Sequence, residues 1–384
     1  MNRLFKDKNS LFDSGVSLGD IDADTGDSAG NVTGDNTGAG NEKKIVNQIK
    51  SDLQSGVCHD KRKVLKIASN AGLQDETLIK ELYETAVMLY LKSIYTENIS
   101  DNYNKTVEIY HRQMSLNTRT SNSVMLQQYS TPAPIAYLAG AYVAHNQANA
   151  QYFEPSAGNG LLTLALIEKQ TTVNEIDRNR RHNLEKFHNY SKVTNEDASK
   201  PFSYSLKFDG IITNPPFGKA ETRKFGGYKI GKLEHQMTIY ALDAMKSGGR
   251  AAIIIGGHTE WNKYGQVERG ANLYFLSYLN HFYNVEDTIN IDGKLYGKQG
   301  TTFPIRLILI NGRKSSPEGT APLKTEYDKT VKSFDELFER INSLLSLRSL
   351  KPLKSLETIE KEMKQAIAQM ERELGLTGFN KQHN

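Results

Sequence analysis

Phe208-Asp209-Gly210-Ile211-Ile212-Thr213-Asn214-Pro215-Pro216-Phe217 is the stretch that most strongly constrains the fold of this 384-residue chain. Its first six residues form an apolar run that predicts a buried strand. The two prolines lack a backbone N–H and fix φ, so they end the strand in a rigid turn. In an open α/β sheet, ligands bind at the carboxyl ends of the strands. The sequence therefore predicts that an amide, a proline carbonyl and an aromatic ring are presented together at that edge.

The turn 214–217 suits methyl transfer to an amino group conjugated with a ring or a carbonyl. Such a nitrogen is a poor nucleophile because its lone pair is delocalised, and two acceptors aimed at its N–H groups favour the pyramidal form needed for attack. The side-chain oxygen of Asn214 and the carbonyl of Pro215 are candidates for these acceptors. Phe217 offers a flat apolar face for a planar substrate. Asn-Pro-Pro is also ordinary turn chemistry, so the turn alone leaves both interpretations open.

A second motif lies upstream, at Phe153-Glu154-Pro155-Ser156-Ala157-Gly158-Asn159-Gly160. A strand, a small-residue loop with two glycines and a predicted helix over 161–169 indicate a nucleotide-like cofactor site, because glycines let the backbone approach a ligand closely. The dinucleotide fingerprint G-x-G-x-x-G is not matched, since Thr163 takes the third glycine's place. NAD is therefore disfavoured.

Acidic residues end the next two predicted strands. Glu175 and Asp177 close the run 171–177, and Asp197 lies in the stretch 193–198. A carboxylate at such a position suits a bidentate grip on ribose hydroxyls, and Glu175 is preferred because it lies nearer the strand end. Asp197 is a candidate acceptor for a cofactor adenine amine. Isolated acidic residues at strand ends are more often solvated or capping groups, but their order and spacing around one glycine loop favour binding.

These motifs resemble the S-adenosylmethionine-dependent N6-adenine DNA methyltransferases, which combine a glycine-containing cofactor loop with an [Asn/Asp]-Pro-Pro-[Tyr/Phe] catalytic turn. Gln128-Tyr129-Ser130-Thr131-Pro132-Ala133-Pro134-Ile135-Ala136 resembles the family's additional cofactor motif, which covers the methionine end of the cofactor. The order of the three motifs is that of the gamma subgroup. About sixteen residues separate Asp197 from Asn214, which leaves no room for the recognition insert of the alpha subgroup.

The resemblance spans roughly residues 116 to 313 and implies a class I (Rossmann-like) α/β sheet with helices on both faces. It implies S-adenosyl-L-methionine as cofactor and the N6 amino group of an adenine flipped out of DNA as acceptor. The implied catalytic residues are Asn214, Pro215, Pro216 and Phe217. The implied cofactor-binding residues are Thr131, Pro132, Glu154, Pro155, Ser156, Ala157, Gly158, Gly160, Glu175, Ile176, Asp197 and Ala198.

The segment 218–231 directly follows the catalytic turn and mixes basic residues with aromatics and glycines. This composition suits a loop that contacts phosphates and closes over a substrate base, although charge runs are more often plain solvated surface. In the family, an aromatic before the last strand helps to hold the flipped base; Phe303 is the first candidate here and Tyr296 the second, with a plain core role open for Phe303. The candidate phosphate-contacting residues are Lys219, Arg223, Lys224 and Lys229.

Downstream periodicity predicts the remaining elements of the α/β fold. The pair Gly248-Gly249 is expected to end the first of these helices. The stretch 258–270, with the chain's single tryptophan, is a candidate wall of the site. The predicted elements are helices over 233–246 and 272–283 and strands over 250–256, 285–291 and 303–311.

Charge and composition separate the ends of the chain from its centre. Residues 1–42 hold three basic and eight acidic residues, and the polar, glycine-rich stretch 9–40 predicts disorder. The other 45 basic and 36 acidic residues give a net charge of +9, which suits binding to a polyanion. The expected units are a disordered acidic tail (1–42), a helical segment (43–115), the methyltransferase domain (116–313) and a C-terminal helical segment (314–384).

The roles of the two helical segments are less specific. The N-terminal one is expected to brace the sheet rather than to contact DNA. In the C-terminal one, Ser333 and Glu336 form a capping-box pattern, and an apolar stripe over 359–374 needs a partner, either the preceding helix or another protein. About seventy residues follow the last motif, instead of the gamma subgroup's large target-recognition domain. Recognition of the DNA target sequence would then be weak, would come from the loops and the N-terminal helices, or would require another protein.

Composition excludes several classes of protein. The single cysteine, Cys58, excludes a disulfide framework and argues against a cysteine zinc site or a cysteine nucleophile. Asp20, Asp22 and Asp24 have calcium-loop spacing, but Asn31 stands where the loop needs glutamate, so no metal site is expected. No apolar run reaches membrane-spanning length and no signal-peptide core is present, so no membrane partner is expected and the cytoplasm is the expected location.

Other functions fit the same turn. Protein glutamine side chains and RNA bases carry conjugated amines, so both are alternative acceptors. A non-enzymatic alternative is a DNA-binding or antirestriction subunit from a restriction–modification system or mobile element. The intact motifs weigh against it, because a decayed site is expected to lose Asn214 or the glycines.

Overall fold

The computed structural model describes residues 36–116, 130–144, 149–203 and 207–349. The chain divides into two compact units, residues 1–338 and 339–384. Of the second unit, the described residues 339–349 continue the last helix. The expected acidic tail before residue 36 and the apolar stripe over 359–374 lie outside the described residues, and the domain limits stay predictions.

Four helices precede the sheet. Helix α1 begins inside the stretch expected to be disordered, so residues 36–42 are helical instead. Its apolar side chains at four-residue spacing, Ile45, Ile49 and Leu53, are fully buried, and α1 packs on α3. This burial offsets the weak helix propensity of its first turns. The helices are α1 (Asn36–Gln54), α2 (Lys61–Asn70), α3 (Glu76–Ile94) and α4 (Ile99–Arg112).

A seven-stranded sheet with the order β3-β2-β1-β4-β7-β9-β8 forms the centre of the fold. Neighbouring strands pair in parallel from β3 to β7, whereas β9 runs antiparallel to both β7 and β8. The strands are β1 (Tyr152–Glu154), β2 (Thr171–Asn174), β3 (Lys192–Thr194), β4 (Phe208–Thr213), β7 (Met245–Gly256), β8 (Tyr283–Ile291) and β9 (Ile305–Arg313).

Helices cover both faces of this sheet, as alternate residues of β4 demonstrate. A Cβ at Gly210 would collide with Val143 of α5, whereas Ile211 packs in the core with Ile239 of α7 and Phe275 of α8. Successive side chains of a strand point to opposite faces, so α5 lies on one face and α7 and α8 on the other. The predicted fold class is confirmed. The helices are α5 (Ala133–Val143), α6 (Arg178–Phe187), α7 (Leu233–Asp243) and α8 (Ala271–Phe282).

The prediction of a helix over 161–169 is wrong. The chain forms two short 3₁₀ turns there, Leu161–Thr163 and Glu168–Gln170. The hydrogen bonds span three residues rather than four, for example from Thr163 N to Gly160 O and from Leu166 N to Thr163 O, both 2.9 Å. Helices α3 and α5 pack against the first 3₁₀ turn.

The basic segment after the catalytic turn is a hairpin rather than a loop. Its strands are β5 (Lys219–Phe225) and β6 (Tyr228–Lys232), paired antiparallel. Gly226 and Gly227 form the two-residue turn with φ of 53° and 91°. Positive φ at both positions is what a type I′ hairpin turn requires.

Two further expectations need correction. Gly248-Gly249 lies within β7 and does not end a helix, because α7 already ends at Asp243. The chain from 314 to 333 is not helical, and α9 (Phe334–Ser349) begins only after it. The capping prediction holds at Ser333, whose Oγ accepts from Glu336 N at 3.1 Å, while the Glu336 carboxylate accepts from Lys332 N.

Candidate active site

The glycine loop (residues 154–160) and the catalytic turn (residues 214–217) meet at the carboxyl edge of the sheet. Their parent strands, β1 and β4, are neighbours that pair in parallel. The hydroxyl groups of Ser156 and Thr213 lie 3.1 Å apart. The structure therefore brings the two predicted motifs together, with a hydroxyl contact between the loop and Thr213, the residue directly before the turn.

Asn174, at the end of β2, holds the loops of this edge and was missed by sequence reasoning. Its side chain is 1% exposed. Its Nδ2 donates to the carbonyls of Pro155 and Glu196 at 3.0 and 2.9 Å, and its Oδ1 accepts from Glu196 N and Thr194 Oγ1 at 2.7 and 2.8 Å. The four hydrogen bonds connect the end of β2 to the end of β3 and to the loops after β1 and β3, so this amide fixes their relative positions.

The two loop glycines are needed for different reasons. Gly158 and Gly160 both adopt left-handed φ, 56° and 86°. A Cβ on Gly158 would lie 3.7 Å from Arg180, which is ordinary contact. A Cβ on Gly160 would collide with the Tyr190 hydroxyl and press on Leu184 and Met88. Gly160 therefore serves the packing beneath the loop, whereas Gly158 serves mainly its backbone conformation.

Two buried carboxylates flank the loop. Glu154 is fully buried; its Oε1 accepts from Ser156 N at 3.3 Å, and its Oε2 has no hydrogen-bond partner among the described residues. Burial raises the pKa of Glu154 well above its usual range. Glu175 accepts from Gly158 N at 2.6 Å and from Asp177 N at 2.7 Å, so it already supports the loop. Its ribose role stays a prediction.

The remaining predicted cofactor residues line the same edge. Ile176 follows Glu175 and is 62% exposed. Asp197 accepts from the Ser199 backbone N–H and hydroxyl, at 3.0 and 2.7 Å, as a turn-forming residue does. Ala198 is buried against Leu233. Contact of Asp197 with a cofactor adenine stays a prediction.

A hydrogen bond ties the catalytic turn to the Thr-Pro motif. Asn214 Nδ2 donates to Thr131 Oγ1 at 3.0 Å. The bond sets the direction of the amide, so its oxygen occupies the opposite end of the group. Thr131 is buried, directly before Pro132 and the start of α5. The motif that resembles a cofactor cover is therefore in contact with the predicted catalytic amide.

The aromatic side of the site is built on the end of β7. A Cβ at Gly256 would lie 3.0 to 3.4 Å from the Phe217 ring, so the ring rests against this glycine. Gly257 N donates to Pro304 O at 2.8 Å, which holds the chain at Phe303 to the same edge. Phe303 is 39% exposed, whereas Tyr296 is 2% exposed and has no ring face to offer a base.

A buried arginine holds the glycine against which Phe217 rests, and sequence reasoning missed it. Arg306 on β9 is fully buried, and its Nη2 donates to Gly256 O at 3.2 Å and Asn272 Oδ1 at 3.1 Å. Burial lowers the pKa of Arg306 to about 10, against an opposing effect of Glu234. Glu234 itself accepts from Gly218 N at 3.0 Å. The signal was an arginine inside the apolar run 305–310.

Helix α3 also reaches the site, a third feature that sequence reasoning missed. Asn159 Nδ2 of the glycine loop donates to Glu81 at 2.5 Å and to Glu84 at 2.7 Å. Arg180 of α6 donates to Glu81 at 3.1 Å, and Ser130 donates to Glu84 at 2.8 Å. Both carboxylates are buried on a helix that is otherwise apolar there. Helix α3 thus holds the glycine loop, and bracing of the sheet by the N-terminal helices stays a prediction.

The predicted phosphate-contacting residues share the β5–β6 hairpin. All four side chains are exposed: Lys219, Arg223, Lys224 and Lys229. Arg223 donates to the Tyr240 hydroxyl at 2.9 Å. The hairpin also packs on α7 and α8. These cations therefore stand on an ordered two-stranded element next to the catalytic turn.

Comparison with known proteins gives one sequence relationship and several distant folds. No protein-family model matches the chain. A Listeria monocytogenes protein assigned to the class I S-adenosylmethionine-dependent methyltransferases is 12% identical, with 82% of this chain and 98% of that chain covered and a TM-score of 0.42. The type I restriction enzyme EcoKI M protein is 15% identical, with 73% and 69% covered and a TM-score of 0.38. Scores this low have no bearing on function.

The sequence relationship is to the type II methyltransferase M.AccI of Acinetobacter calcoaceticus. The two are 26% identical over 195 residues, which covers 45% of this chain. The chain spans 34% of that relative's length. Within the described ranges, no helix is long and apolar enough to span a membrane. The gamma motif order stays a prediction, and the predicted resemblance to S-adenosylmethionine-dependent DNA methyltransferases is confirmed.

Proposed function

We propose that this protein transfers a methyl group from S-adenosylmethionine to the N6 amino group of an adenine in DNA. The observation that carries this function is the contact of Asn214 with Thr131, together with the contact of Ser156 with Thr213. These bonds join the acceptor turn to two motifs expected around the cofactor. A methyl donor and an amine held on this edge would be within reach of each other.

The residues present fit the cofactor. Glu154 Oε2 is a buried acceptor without a partner among the described residues, as expected where a ligand N–H or O–H completes the site. Glu175 would hold the ribose with lone pairs beyond those used by the backbone, and Ile176 would cover the adenine ring. The cofactor supplies an electrophilic methyl group on a sulfonium. Gly158 lets the loop backbone approach it closely.

The residues of this chain would contribute to the reaction by positioning the substrate amine. Asn214 Oδ1 and Pro215 O would accept from the two N–H bonds of the amine, which directs its lone pair towards the methyl group. Phe217, resting on Gly256, would stack on the base from one side, and Phe303 stands at the same edge to contact it from another. Alignment and exclusion of water provide most of the acceleration, and no dedicated general base is needed.

DNA is favoured over other acceptors by similarity and by charge. The relative is a type II methyltransferase, and the four exposed cations of the β5–β6 hairpin stand beside the turn. Lys and Arg near a flipped base would neutralise the flanking phosphates. The gamma motif order is part of the proposal. A partner protein that docks through the C-terminal helical segment is also part of the proposal, as a source of target recognition.

The test is transfer of a labelled methyl group. The protein is incubated with labelled S-adenosylmethionine and, separately, with duplex DNA, RNA and cell protein, and the labelled product is digested and identified. N6-methyladenine from DNA supports the proposal. Label in methylated glutamine or in RNA would assign the site to that acceptor instead, and no transfer, with cofactor binding intact, would favour the non-catalytic subunit.

A further inference from the structure

We infer that Glu84 of helix α3 is a positioning residue that couples the cofactor loop to the catalytic amide of Asn214. The inference rests on the proposed function, because it assigns Glu84 a part in the same transfer. Glu84 belongs to the N-terminal helical segment, some 70 residues before the glycine loop in the sequence. Its role follows from the two groups that its carboxylate holds.

One oxygen of the Glu84 carboxylate accepts hydrogen bonds from two loops. Oε2 accepts from Asn159 Nδ2 at 2.7 Å and from Ser130 Oγ at 2.8 Å. Asn159 stands between the two glycines of the cofactor loop, and Ser130 precedes Thr131 in the Thr-Pro motif. Because both donors share one atom, a shift of either loop changes the hydrogen bond of the other.

The second half of the path leads from Ser130 to the catalytic turn. The Ser130 hydroxyl anchors the residue directly before Thr131, whose Oγ1 accepts from Asn214 Nδ2 at 3.0 Å. The direction of that bond sets where the Asn214 oxygen points. A displaced Thr131 would therefore misdirect one of the two acceptors required by the substrate amine.

Asn159 and Ser130, the two residues that donate to Glu84, differ in how many other hydrogen bonds hold them. Asn159 is also held by Glu81 at 2.5 Å and by Asn183 at 3.2 Å, so the cofactor loop keeps two bonds when Glu84 is removed. Ser130 has Glu84 as its hydrogen-bond partner. Loss of Glu84 is therefore expected to disturb the catalytic side more than cofactor binding.

Charge makes a purely structural role for Glu84 unfavourable. Glu84 is 4% exposed and lies near Glu81, while Arg180 pairs with Glu81. Burial, followed by the charge of Glu81, raises the pKa of Glu84. Its Oε1 has no partner among the described residues. A buried apolar side chain would brace the sheet without this cost, so the carboxylate is better explained by the donors it positions.

The experiment compares the full-length protein with Glu84→Ala, Glu84→Gln and Ser130→Ala variants and their combination. The kcat of DNA methylation and the Kd for S-adenosylhomocysteine are measured separately, with thermal unfolding as the check on folding. Glu97→Gln, an exposed carboxylate between α3 and α4, is the control.

A misplaced acceptor is expected to lower kcat about 10- to 100-fold in Glu84→Ala and Ser130→Ala. The Kd should change less than about threefold, because Glu81 and Asn183 still hold Asn159 when Glu84 is replaced. Glu84→Gln, which keeps an acceptor oxygen, should recover much of the rate. The combined alanine variant should be no slower than Glu84→Ala, since both changes break one path.

Three outcomes overturn the inference: a wild-type rate in Ser130→Ala, additive losses in the combined variant, or a loss that appears only in Kd and thermal stability. Absence of methyl transfer by the wild-type protein itself would instead refute the proposed function. The two failures are therefore distinguishable, because the second is read on the unmodified chain before any variant is compared.

Discussion

The cofactor side and the acceptor side of this site are built by different means. Around residues 154–160 the backbone is held by buried polar groups, including Asn174, Glu81, Glu84 and Glu175. Around residues 214–217 the Phe217 ring rests on Gly256, whose carbonyl accepts from Arg306, and the hairpin that follows is partly exposed and basic. The difference indicates that the proposed cofactor loop is fixed in advance, while the surface proposed for DNA stays open.

The largest expected effect is that of Asn214→Ala. Removing the amide deletes an acceptor used only as the amine becomes pyramidal, so kcat should fall by about 10³-fold or more. Calorimetry with S-adenosylhomocysteine should give a Kd within about threefold of the wild type, because Glu81 and Glu175 hold the cofactor loop without Asn214. A near-normal rate in this variant would remove the catalytic assignment of the turn.

Gly160→Ala should be the next most damaging change, and Gly158→Ala is its matched control. Both substitutions place a side chain at left-handed φ, which costs about 1–2 kcal/mol. Gly160→Ala adds a collision with Tyr190, so its free energy of unfolding should drop by about 1–3 kcal/mol more. Urea unfolding of both variants measures the difference. Equal losses of unfolding free energy in the two variants would mean that Tyr190 moves aside at little cost.

The Glu154 carboxyl gives a pH-dependent prediction. Its pKa in the folded state is raised by burial, so the folded protein holds this proton more tightly than the unfolded chain does. The contribution is favourable at low pH and is lost as pH rises from the unfolded value near 4.5 through the folded one. Glu154→Gln should therefore stabilise the cofactor-free protein at pH 8, by about 1–3 kcal/mol.

Thermal unfolding of the wild type and Glu154→Gln between pH 5 and pH 8 is the measurement. The stability gain of the variant should grow as pH rises, and its cofactor affinity should fall because the charged acceptor is gone. A gain that is constant with pH would show that Glu154 is not the group being titrated.

The smallest effects are expected on the acceptor side. Lys224→Gln with Lys229→Gln removes two exposed cations of the hairpin, so DNA affinity should weaken several-fold, and the slope of log K against log salt should decrease by up to about 1.8. Cofactor affinity should not change. Lys66→Gln, an exposed lysine of α2, is the control. An unchanged salt slope would exclude phosphate contacts by these two residues.

Local patterns predicted most strands and the two motifs, because apolar runs and prolines act within a few residues. The adjacency of turn 214–217 and loop 154–160 was also predictable, since parallel strands bring their ends to one edge. The helix over 161–169 failed because α3 and α5 pack against that segment, which no local pattern encodes. Glu84, Asn174 and Arg306 were missed for the same reason: their partners are distant in sequence.

The position of α3 also limits how this protein can be shortened. A fragment that begins at residue 116 contains every recognisable motif, yet it lacks the helix that fills the space beside the β1–β2 connection. Such a fragment would expose apolar surface on Leu161 and Leu162 and leave Asn159 without its two carboxylates. A minimal catalytic fragment should therefore start no later than Asn36, where the first helix begins.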